Sequence, residues 1–497
     1  MRNELIICIL LSVASIYAQD KSGNNWIMGH TFPNNKQKVR LDFNESPVLQ
    51  VEFESEFEMS EGSTPTLSNS EGALILYSNG CEIMGADYEI IAGGADIITQ
   101  ANAFNQCERG FGGVESNLFL LQPCDTSVIN MISMDRVIDG FDFKSFQLLN
   151  TKIDVSDEQA PFVLEKDNVI FQDTLEVGNL WATRHENGRD WWITVLGHLT
   201  NCFYSVLLHE NGFSEPISSC SGPIWGNPDG TSLGDGVGQG GFSPDGMTYV
   251  RYNFLYGLNI YDFDNTTGIL AHKEQIFLPE DDFIGFVGAA ISPSSRYLYA
   301  SAKFRLYQFD LWENDIEATG QIVSVLDSTL VGNQSFRSSR LAPDGKIYIA
   351  GFNSLTGLHI IHNPDIAGVD CNVEQLGLRF PEGVLHLSAM PNNPWYGALP
   401  DNSLCDSLLS VSINEVSDIE KDITIHPNPT QDHVTLTAPP DLLIERIELL
   451  DTQGRTHNSF YENSSEVRLD LSGYPSGLYF VSIYTEKGRV VKKVVLE

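Results

Sequence analysis

The densest group of side chains that could bind a ligand lies within eight residues of the chain. Its members are His185, Asn187, Arg189, Asp190, Trp191 and Trp192. Two adjacent indole rings could stack on pyranose rings while the amide, guanidinium and carboxylate groups hydrogen-bond sugar hydroxyls. The same segment is also typical of a hairpin, in which Asn187-Gly188 forms the turn and the tryptophans pack in a core. Both interpretations, a glycan site and a structural turn, stay open at this point.

The sequence gives little support for hydrolytic chemistry. Gly241-Phe242-Ser243-Pro244 breaks the G-x-S-x-G pattern of a serine nucleophile elbow, and the match at residues 230–234 lies in a glycine-rich run instead of between a strand and a helix. No zinc-binding H-E-x-x-H occurs. His359 and His362 are three residues apart in a segment with strand character, which would put them on opposite faces of the strand. We therefore expect no catalytic constellation that can be read from local spacing.

Two segments could surround a cation. Residues 262–268 begin like an acidic calcium loop, but Thr267 stands where glycine is needed and Lys273 where the bidentate glutamate should be. The glycine-rich run from Gly230 to Gly241 lacks the regular acidic repeat of calcium-binding β-rolls. We interpret the first as a hairpin turn and the second as a connector. The sequence predicts no cofactor, with a structural calcium ion as the alternative.

The charge balance restricts the partners. The 497 residues include 29 Lys and Arg against 66 Asp and Glu, a formal net charge of -37. Nucleic acids and anionic membrane surfaces are bound through clustered cations, so neither is an expected partner. The 42% apolar and 10% aromatic content is too high for a disordered polyanion. We expect a globular chain of roughly two to four domains.

The first residues resemble a secretory signal. Arg2 precedes an apolar run from Leu5 to Tyr17, and Ala18 precedes polar residues. The run is shorter than the roughly 20 residues that cross a bilayer, and no later run is long enough. We predict that residues 1–18 are a signal peptide and that the chain has no transmembrane segment.

Seven cysteines follow the predicted signal. In an exported chain they are candidates for disulfides. The 17-residue spacing of Cys107 and Cys124 and the 18-residue spacing of Cys202 and Cys220 would suit bridges between neighbouring strands. The odd number leaves at least one thiol free.

A repeat of about fifty residues organises the middle of the chain. Residues 241–250, 290–300 and 340–350 each contain a small apolar strand end, a tight turn with proline second, and an alternating apolar strand. The three prolines, Pro244, Pro293 and Pro343, are 49 and 50 residues apart. Weaker copies lie upstream, around residues 73–80, 116–121 and 190–208. The pattern predicts a repeated antiparallel meander.

Repeated four-stranded sheets bury both faces when they stack radially, as in a β-propeller. The span from about residue 25 to 400 accommodates seven or eight units of about fifty residues. We predict an all-β chain with a seven-bladed propeller at residues 19–400. Eight blades are the alternative count, and an open solenoid or a pair of β-sandwiches is the alternative fold.

A second domain follows a polar segment. Residues 401–422 are rich in Ser, Asp and Glu, as is typical of a linker. Residues 423–497 return to short alternating apolar segments, which predict a small antiparallel β-sandwich of about seven strands.

This second domain resembles the C-terminal sorting domain of the type IX (Por) secretion system. The motif residues that carry the resemblance are Pro427, Asn428, Pro429, Gly454, Pro475, Gly477, Tyr479, Lys492 and Lys493. The resemblance implies a Bacteroidetes protein that passes the inner membrane by the Sec route. The type IX machinery would then bind the domain and move the chain across the outer membrane, leaving it secreted or at the cell surface.

The preceding region is similar to propellers found ahead of sorting domains in uncharacterised Bacteroidetes surface proteins, some of which resemble WD40-like repeats. The similarity is carried by residues 181–204, the Ser-Pro-Asp-Gly units and residues 363–372. It implies a fold but no activity. We expect a non-enzymatic extracellular binding protein whose ligand is a protein or a glycan. The alternative is a propeller-fold glycoside hydrolase or polysaccharide lyase, whose carboxylates would converge in the central pore from different blades.

Overall fold

The fold was analysed in a computed structural model. It describes residues 20–29, 36–55, 64–97, 115–135, 137–139, 142–225, 238–279, 287–330, 334–352, 354–386, 390–397, 405, 423–440, 442–450, 456–485 and 488–496. The predicted signal peptide and, apart from Cys405, the predicted linker lie outside these residues. The contacts divide the chain into two compact units, Met1–Asp401 and Asn402–Glu497. None of the described helices is long and apolar enough to cross a membrane.

The described part of the first unit contains seven antiparallel sheets. Sheet 1 is β1 (Asn25–Met28), β2 (Gln37–Asp42) and β3 (Leu49–Glu54), and sheet 2 is β4 (Thr66–Ser68), β5 (Leu74–Ser78) and β6 (Ile83–Gly85). Sheet 3 is β7 (Asn117–Gln122), β8 (Asp125–Met134), β9 (Val137–Asp139), β10 (Asp142–Asp154) and β11 (Phe162–Glu176). Sheet 4 is β12 (Trp181–Arg184), β13 (Trp191–Leu196), β14 (Cys202–His209), β15 (Gly212–Phe213) and β16 (Ile217–Cys220).

The last three sheets are regular four-stranded meanders. Sheet 5 is β17 (Gln239–Phe242), β18 (Thr248–Asn253), β19 (Gly257–Asp264) and β20 (Ile269–Ile276). Sheet 6 is β21 (Gly288–Ile291), β22 (Tyr297–Ala302), β23 (Arg305–Asp310) and β24 (Gln321–Val325), with a 3-10 helix at Glu317–Thr319. Sheet 7 is β25 (Ser339–Leu341), β26 (Ile347–Ile349), β27 (Gly357–Ile361) and β28 (Val373–Arg379), with a 3-10 helix at Gly368–Cys371.

Apolar clusters join each sheet of this unit to the next one along the chain, because both faces of each sheet carry apolar side chains. The last sheet also packs on the first one. Trp26 of β1 lies edge-on against Tyr348 of β26, with ring centroids 5.8 Å apart. The sheets therefore close a ring, which is the predicted β-propeller. Seven sheets in the described residues are compatible with the predicted seven blades.

The repeated proline segments form the turns between the first and second strands of sheets 5, 6 and 7; they read Ser-Pro-Asp-Gly, Ser-Pro-Ser-Ser and Ala-Pro-Asp-Gly in that order. In sheet 5 the Ser243 hydroxyl donates to Asp245 Oδ1 at 2.5 Å and accepts from the Thr248 N–H at 2.9 Å. Gly246 closes this turn at φ +71°, a left-handed conformation that favours glycine. In sheet 6 a serine, Ser295, holds the corresponding conformation at φ +61°.

Replacing Gly246 with alanine should destabilise the propeller by about 1–2 kcal/mol. The backbone would be strained, and the new Cβ would lie 2.8 Å from Thr183 Oγ1 of the neighbouring sheet. Urea unfolding followed by tryptophan fluorescence measures the loss. Gly241→Ala is the matched control, because nothing lies within 4 Å of a Cβ placed there. Equal midpoints for the two variants would contradict the assigned turn.

One predicted bridge is present. Cys202 and Cys220 lie opposite each other on β14 and β16 and form a disulfide. Cys81, Cys124 and Cys405 are also disulfide-bonded, while Cys107 lies outside the described residues. Within the described part of the chain, Cys371 is the free thiol, and it is buried.

The second unit is a two-sheet sandwich. One sheet has the order β29 (Thr424–His426), β30 (His433–Thr437), β33 (Glu466–Asp470). The other has the order β32 (Thr456–Ser464), β31 (Ile444–Leu450), β34 (Gly477–Thr485), β35 (Gly488–Leu496). Their inner faces share one apolar core. Strand β32 was not expected from the sequence, because its residues, THNSFYENS, are mostly polar and it lies at a sheet edge.

Candidate functional site

The centre of the propeller contains a buried carboxylate that joins four sheets. Glu115, just before β7, accepts hydrogen bonds at Oε2 from Trp181 Nε1 at 2.8 Å and from the Gly240 N–H at 3.1 Å. Its Oε1 accepts from Arg340 Nη2 of β25. Glu115 and Arg340 are both at least nine-tenths buried. The carboxylate is therefore bound by one cation and two neutral donors.

The cation of this pair is also tightly packed. The Arg340 guanidinium lies over the Trp181 ring, 4.4 Å from its centroid, and its Nε donates to Pro391 O at 3.0 Å. Burial lowers the pKa of Arg340, while the charge of Glu115 opposes that shift. The pair is therefore held by protein groups on several sides, and Arg340 also lines the small cavity described below.

The chain's own segment 390–397 lies across the centre. Asn392 Nδ2 donates to the carbonyls of Asn117 and Leu180, both at 3.1 Å. Asn393 exchanges two hydrogen bonds with Thr66 of β4. A segment held by sheets 2, 3, 4 and 7 must cross the axis of the ring. We call residues 390–397 the central segment.

A small cavity remains beside the central segment. Its volume is about 70 Å³, and it is lined by aromatic rings, including Trp26, Trp181 and Tyr396, together with Asp20. Such a volume holds a few waters but is far below the roughly 300–1,000 Å³ of typical ligand pockets. The Asp20 carboxylate lies 3.6 Å from Arg184 Nη2 and accepts from Ser22.

The polar residues of the sequence-predicted cluster lie in the turn between β12 and β13. This is the position that the proline-containing turns occupy in the next three sheets. Asn187 Oδ1 accepts from the N–H groups of Arg189 and Asp190, and its Nδ2 donates to Asp190 Oδ2 at 2.8 Å. Arg189 is paired with Asp190 and with Glu210. The polar groups mostly bind one another.

The two tryptophans of the cluster are buried on opposite faces of β13. Trp191 is fully buried beneath the guanidinium of Arg184, which lies 3.7 Å from its ring centroid. Trp192 is 3% exposed, and its Nε1 donates to Asn265 O. His185 lies beside Trp192, with ring centroids 5.9 Å apart. Glycan binding by this cluster stays a prediction, and in this structure neither indole face is open to water.

The two predicted opposite-facing histidines differ in their surroundings. His362 is partly exposed and lies 2.8 Å from Glu374. His359 is fully buried, with Nε2 3.0 Å from Gln334 O, and its Nδ1 accepts from the Leu376 N–H at 3.2 Å. This arrangement requires the neutral imidazole with its proton on Nε2. Burial lowers the pKa of His359 to about 4.

His359 should make the propeller less stable in acid. Its pKa falls from the ordinary 6.5 to about 4 on folding, so the unfolded chain binds the proton more readily. The contribution is fully present above pH 6.5 and is lost as the pH falls towards 4, by about 2 kcal/mol at pH 4.5. Chemical unfolding at pH 7.0 and 4.5 should show a smaller acid loss for His359→Gln than for the wild type. His362→Gln is the control, and a wild-type-like acid loss in His359→Gln would refute the assignment.

Residues 262–268, the candidate calcium loop, form an ordinary hairpin between β19 and β20. Asp264 Oδ1 accepts from the N–H groups of Thr266 and Thr267. The Thr267 hydroxyl, followed by these backbone N–H groups, lowers the pKa of Asp264. Gly268 ends the turn at φ +75°. Within the described ranges, no three His, Cys, Asp or Glu side chains are grouped to hold a metal. Most of the glycine-rich run from Gly230 to Gly241 lies outside those ranges.

The motif residues of the second unit fasten its first turn to its last strand. Asn428 Oδ1 accepts from the Val495 N–H at 2.9 Å, and its Nδ2 donates to Lys493 O at 2.6 Å. Pro427 and Pro429 flank Asn428 in this turn, and Lys492 precedes Lys493 on β35. The remaining described motif residues hold the approach to β34, where the hydroxyl of Tyr479 donates to Pro475 O at 2.8 Å and Gly477 begins the strand. Gly454 lies outside the described residues.

Sequence reasoning missed a recess at the rim of sheet 6. Its volume is about 570 Å³, and it lies beside the β23–β24 connection, with Ala367 of the β27–β28 connection also in its lining. Next to it stands Trp312, 66% exposed and in contact with Arg296. The sequence did contain a signal for it, which is the length of this connection. Residues 311–320 join β23 to β24, whereas only residues 265–268 join the corresponding strands of sheet 5. We call this recess the blade-6 groove.

The sorting domain is confirmed by comparison with known families. Residues 424–497 match the family described as secretion system C-terminal sorting domain. No curated protein sequence matches the chain. The protein is therefore exported by type IX secretion, to the cell surface or the medium, and carries a β-propeller ahead of its sorting domain.

Solved structures with a similar outline share little sequence with the chain. The β-propeller domain of Cps50 (Swd1) from Myceliophteria thermophila is 10% identical, with 66% of this chain and 90% of that chain covered and a TM-score of 0.37. PorZ, a surface component of the type IX secretion system of Porphyromonas gingivalis, is 12% identical, with 93% and 68% covered and a TM-score of 0.29. A functionally unknown protein from Desulfotomaculum acetoxidans is 12% identical, with 75% and 99% covered and a TM-score of 0.37. Because these TM-scores lie below 0.5, we base the fold on the sheets of the chain itself.

Proposed function

We propose that the protein is an extracellular ligand-binding propeller and that its ligand is a glycan or a protein. The observation that carries the proposal is the filled centre of the ring. Propeller enzymes commonly assemble their acids at the centre, and here the central segment and the Glu115–Arg340 pair take that space. The surfaces left for a partner are the rims and the outer connections.

A glycosidase or lyase with its active site at the centre of the ring would need free carboxyl groups and a larger cavity there. Hydrolysis of a glycosidic bond requires two carboxyl groups roughly 5–9.5 Å apart on either side of the sugar. Glu115 is held by one cation and two neutral donors, and the cavity beside it is about 70 Å³. Both observations support binding over catalysis.

We also propose the processing that would present this surface. Residues 1–18 would be removed as a signal peptide after Sec export, and residues 401–422 would link the propeller at 19–400 to the sorting domain at 423–497. Mass spectrometry of the secreted protein tests both boundaries. A mature N-terminus other than Gln19 would refute the proposed cleavage site.

The test of the function uses the full-length secreted protein. It is applied to a glycan array and, separately, used to capture proteins from the surface of the producing cell, while the same preparation is incubated with polysaccharides and peptides. Saturable binding without turnover supports the proposal. Turnover that is abolished by a substitution in the centre of the ring, such as Glu115→Gln in a variant that remains folded, would overturn it.

A further inference from the structure

We propose that the blade-6 groove binds a neutral oligosaccharide, with Trp312 as the stacking platform. This inference rests on the proposed binding function and assigns it a site and a ligand class. The chemistry is that first considered for Trp191 and Trp192, whose rings are buried. Trp312 presents the same aromatic surface in water.

The platform is held in place. The backbone N–H of Trp312 donates to Asp310 Oδ1 at 3.1 Å, and the guanidinium of Arg296 lies 5.1 Å from the centroid of the indole ring. An indole left 66% exposed retains apolar surface that a partner would bury with a gain in free energy. Stacking on the apolar face of a pyranose ring would cover it.

Planar polar groups lie beside the platform at fixed positions. Arg296 forms a bidentate pair with Asp310, with Nη2 2.7 Å from Oδ2, and its guanidinium also lies 5.1 Å from the centroid of Tyr297. The pairing lowers the pKa of Asp310, which therefore stays ionised. Asn314 and Gln321 also line the groove. Side chains of these types hydrogen-bond pairs of sugar hydroxyls.

The loop that forms the groove is pre-organised. Glu274 of β20 accepts from the N–H groups of Ile316 and Glu317 at 3.2 and 2.8 Å. Thr319 Oγ1 accepts from the Asp310 N–H at 2.9 Å. A loop that is already ordered loses little conformational entropy on binding, which favours recognition of a weakly hydrophobic ligand such as a sugar.

Charge decides which glycans fit. The one cation in the groove lining, Arg296, is already paired with Asp310, and the carboxylates of Glu313 and Asp315 add negative charge. A uronic acid or sulfated glycan would be repelled by these carboxylates and by a chain of net charge -37. The volume of about 570 Å³ lies in the range of sites for small ligands.

Calorimetric titration of the full-length secreted protein tests the inference. The probes are cellohexaose, xylohexaose, mannohexaose and chitohexaose, with an alginate hexasaccharide as the anionic arm. We expect at least one neutral hexasaccharide to bind, and Trp312→Ala to weaken it on the order of tenfold or more. Phe277→Ala is the matched control, because it removes another exposed aromatic ring, 58% exposed, from a different place on the propeller.

Each negative outcome has its own meaning. If a neutral hexasaccharide binds equally well to Trp312→Ala, or if the alginate probe alone binds, the groove assignment is overturned and the proposed binding function stands. If no hexasaccharide binds and the protein instead captures a cell-surface protein, the ligand class is overturned and the proposed function again stands. If enzymatic turnover appears, the proposed function itself is overturned.

Discussion

Replacing Glu115 with alanine should destabilise the propeller by about 3–5 kcal/mol, the usual cost of breaking a buried ion pair. The variant leaves the Arg340 guanidinium buried without its carboxylate, and it removes the acceptor for Trp181 Nε1 and the Gly240 N–H. Four sheets lose a common contact at once. Urea unfolding followed by tryptophan fluorescence, together with thermal unfolding, measures the effect.

The partner substitution distinguishes the ion pair from simple loss of packing. Glu115→Gln/Arg340→Met removes both charges while keeping similar side-chain volumes, so it should be more stable than Glu115→Gln alone. Glu382→Ala is the control, because Glu382 is exposed on the surface. The two single variants, Glu115→Gln and Arg340→Met, give the losses of unfolding free energy to compare. If the double variant loses more than the two single variants together, the pair is not an isolated buried contact.

Removing the Cys202–Cys220 disulfide should cost about 3 kcal/mol, because the bridge closes a loop of 18 residues in the unfolded chain. The variant to make is Cys202→Ala/Cys220→Ala, since a reducing agent would also act on the other disulfide-bonded cysteines. The midpoint of urea unfolding should fall, with little change in its slope.

The control for this variant lies on the same strand. Ser218→Ala changes an exposed side chain of β16 and should leave the unfolding midpoint unchanged. An unchanged midpoint in the double cysteine variant would mean that the loop is already restricted in the unfolded chain.

The parts of the fold that depend on local residues could be predicted. The turns at Pro244, Pro293 and Pro343 lie between the first and second strands of three consecutive sheets, because proline and the left-handed residue that follows it determine a turn within four positions. The sorting domain was recognised for the same reason, since its motif residues belong to short turns and strands.

The centre of the ring could not be predicted. Glu115 and Arg340 are 225 residues apart in the chain and meet only because the ring closes. The central segment likewise shows no periodic pattern, since Asn392 and Asn393 bond to carbonyls and hydroxyls of distant sheets. Contacts of this kind leave no spacing that a single sequence reveals.

Burial of both faces of β13 explains why the tryptophan cluster was open to two interpretations, a glycan site and a structural turn. A strand of an ordinary half-buried sheet alternates inward and outward side chains, so one of two adjacent tryptophans would face water. In the propeller each face of β13 meets a neighbouring sheet, so Trp191 and Trp192 are both enclosed. The exposed tryptophan lies instead in the longer connection of sheet 6.

The central segment also affects the order in which the ring is assembled. It follows all seven described sheets in the chain, yet its asparagines bind beside Thr66, Asn117 and Leu180 of the early ones. The early strands can pair as soon as they are present. The groups of Thr66, Asn117 and Leu180 that bind the central segment remain without it until residues 392 and 393 follow, several hundred positions later in the chain. We therefore expect completion of the ring to be a late folding event, because it needs residues 390–397, which follow every described strand of the propeller.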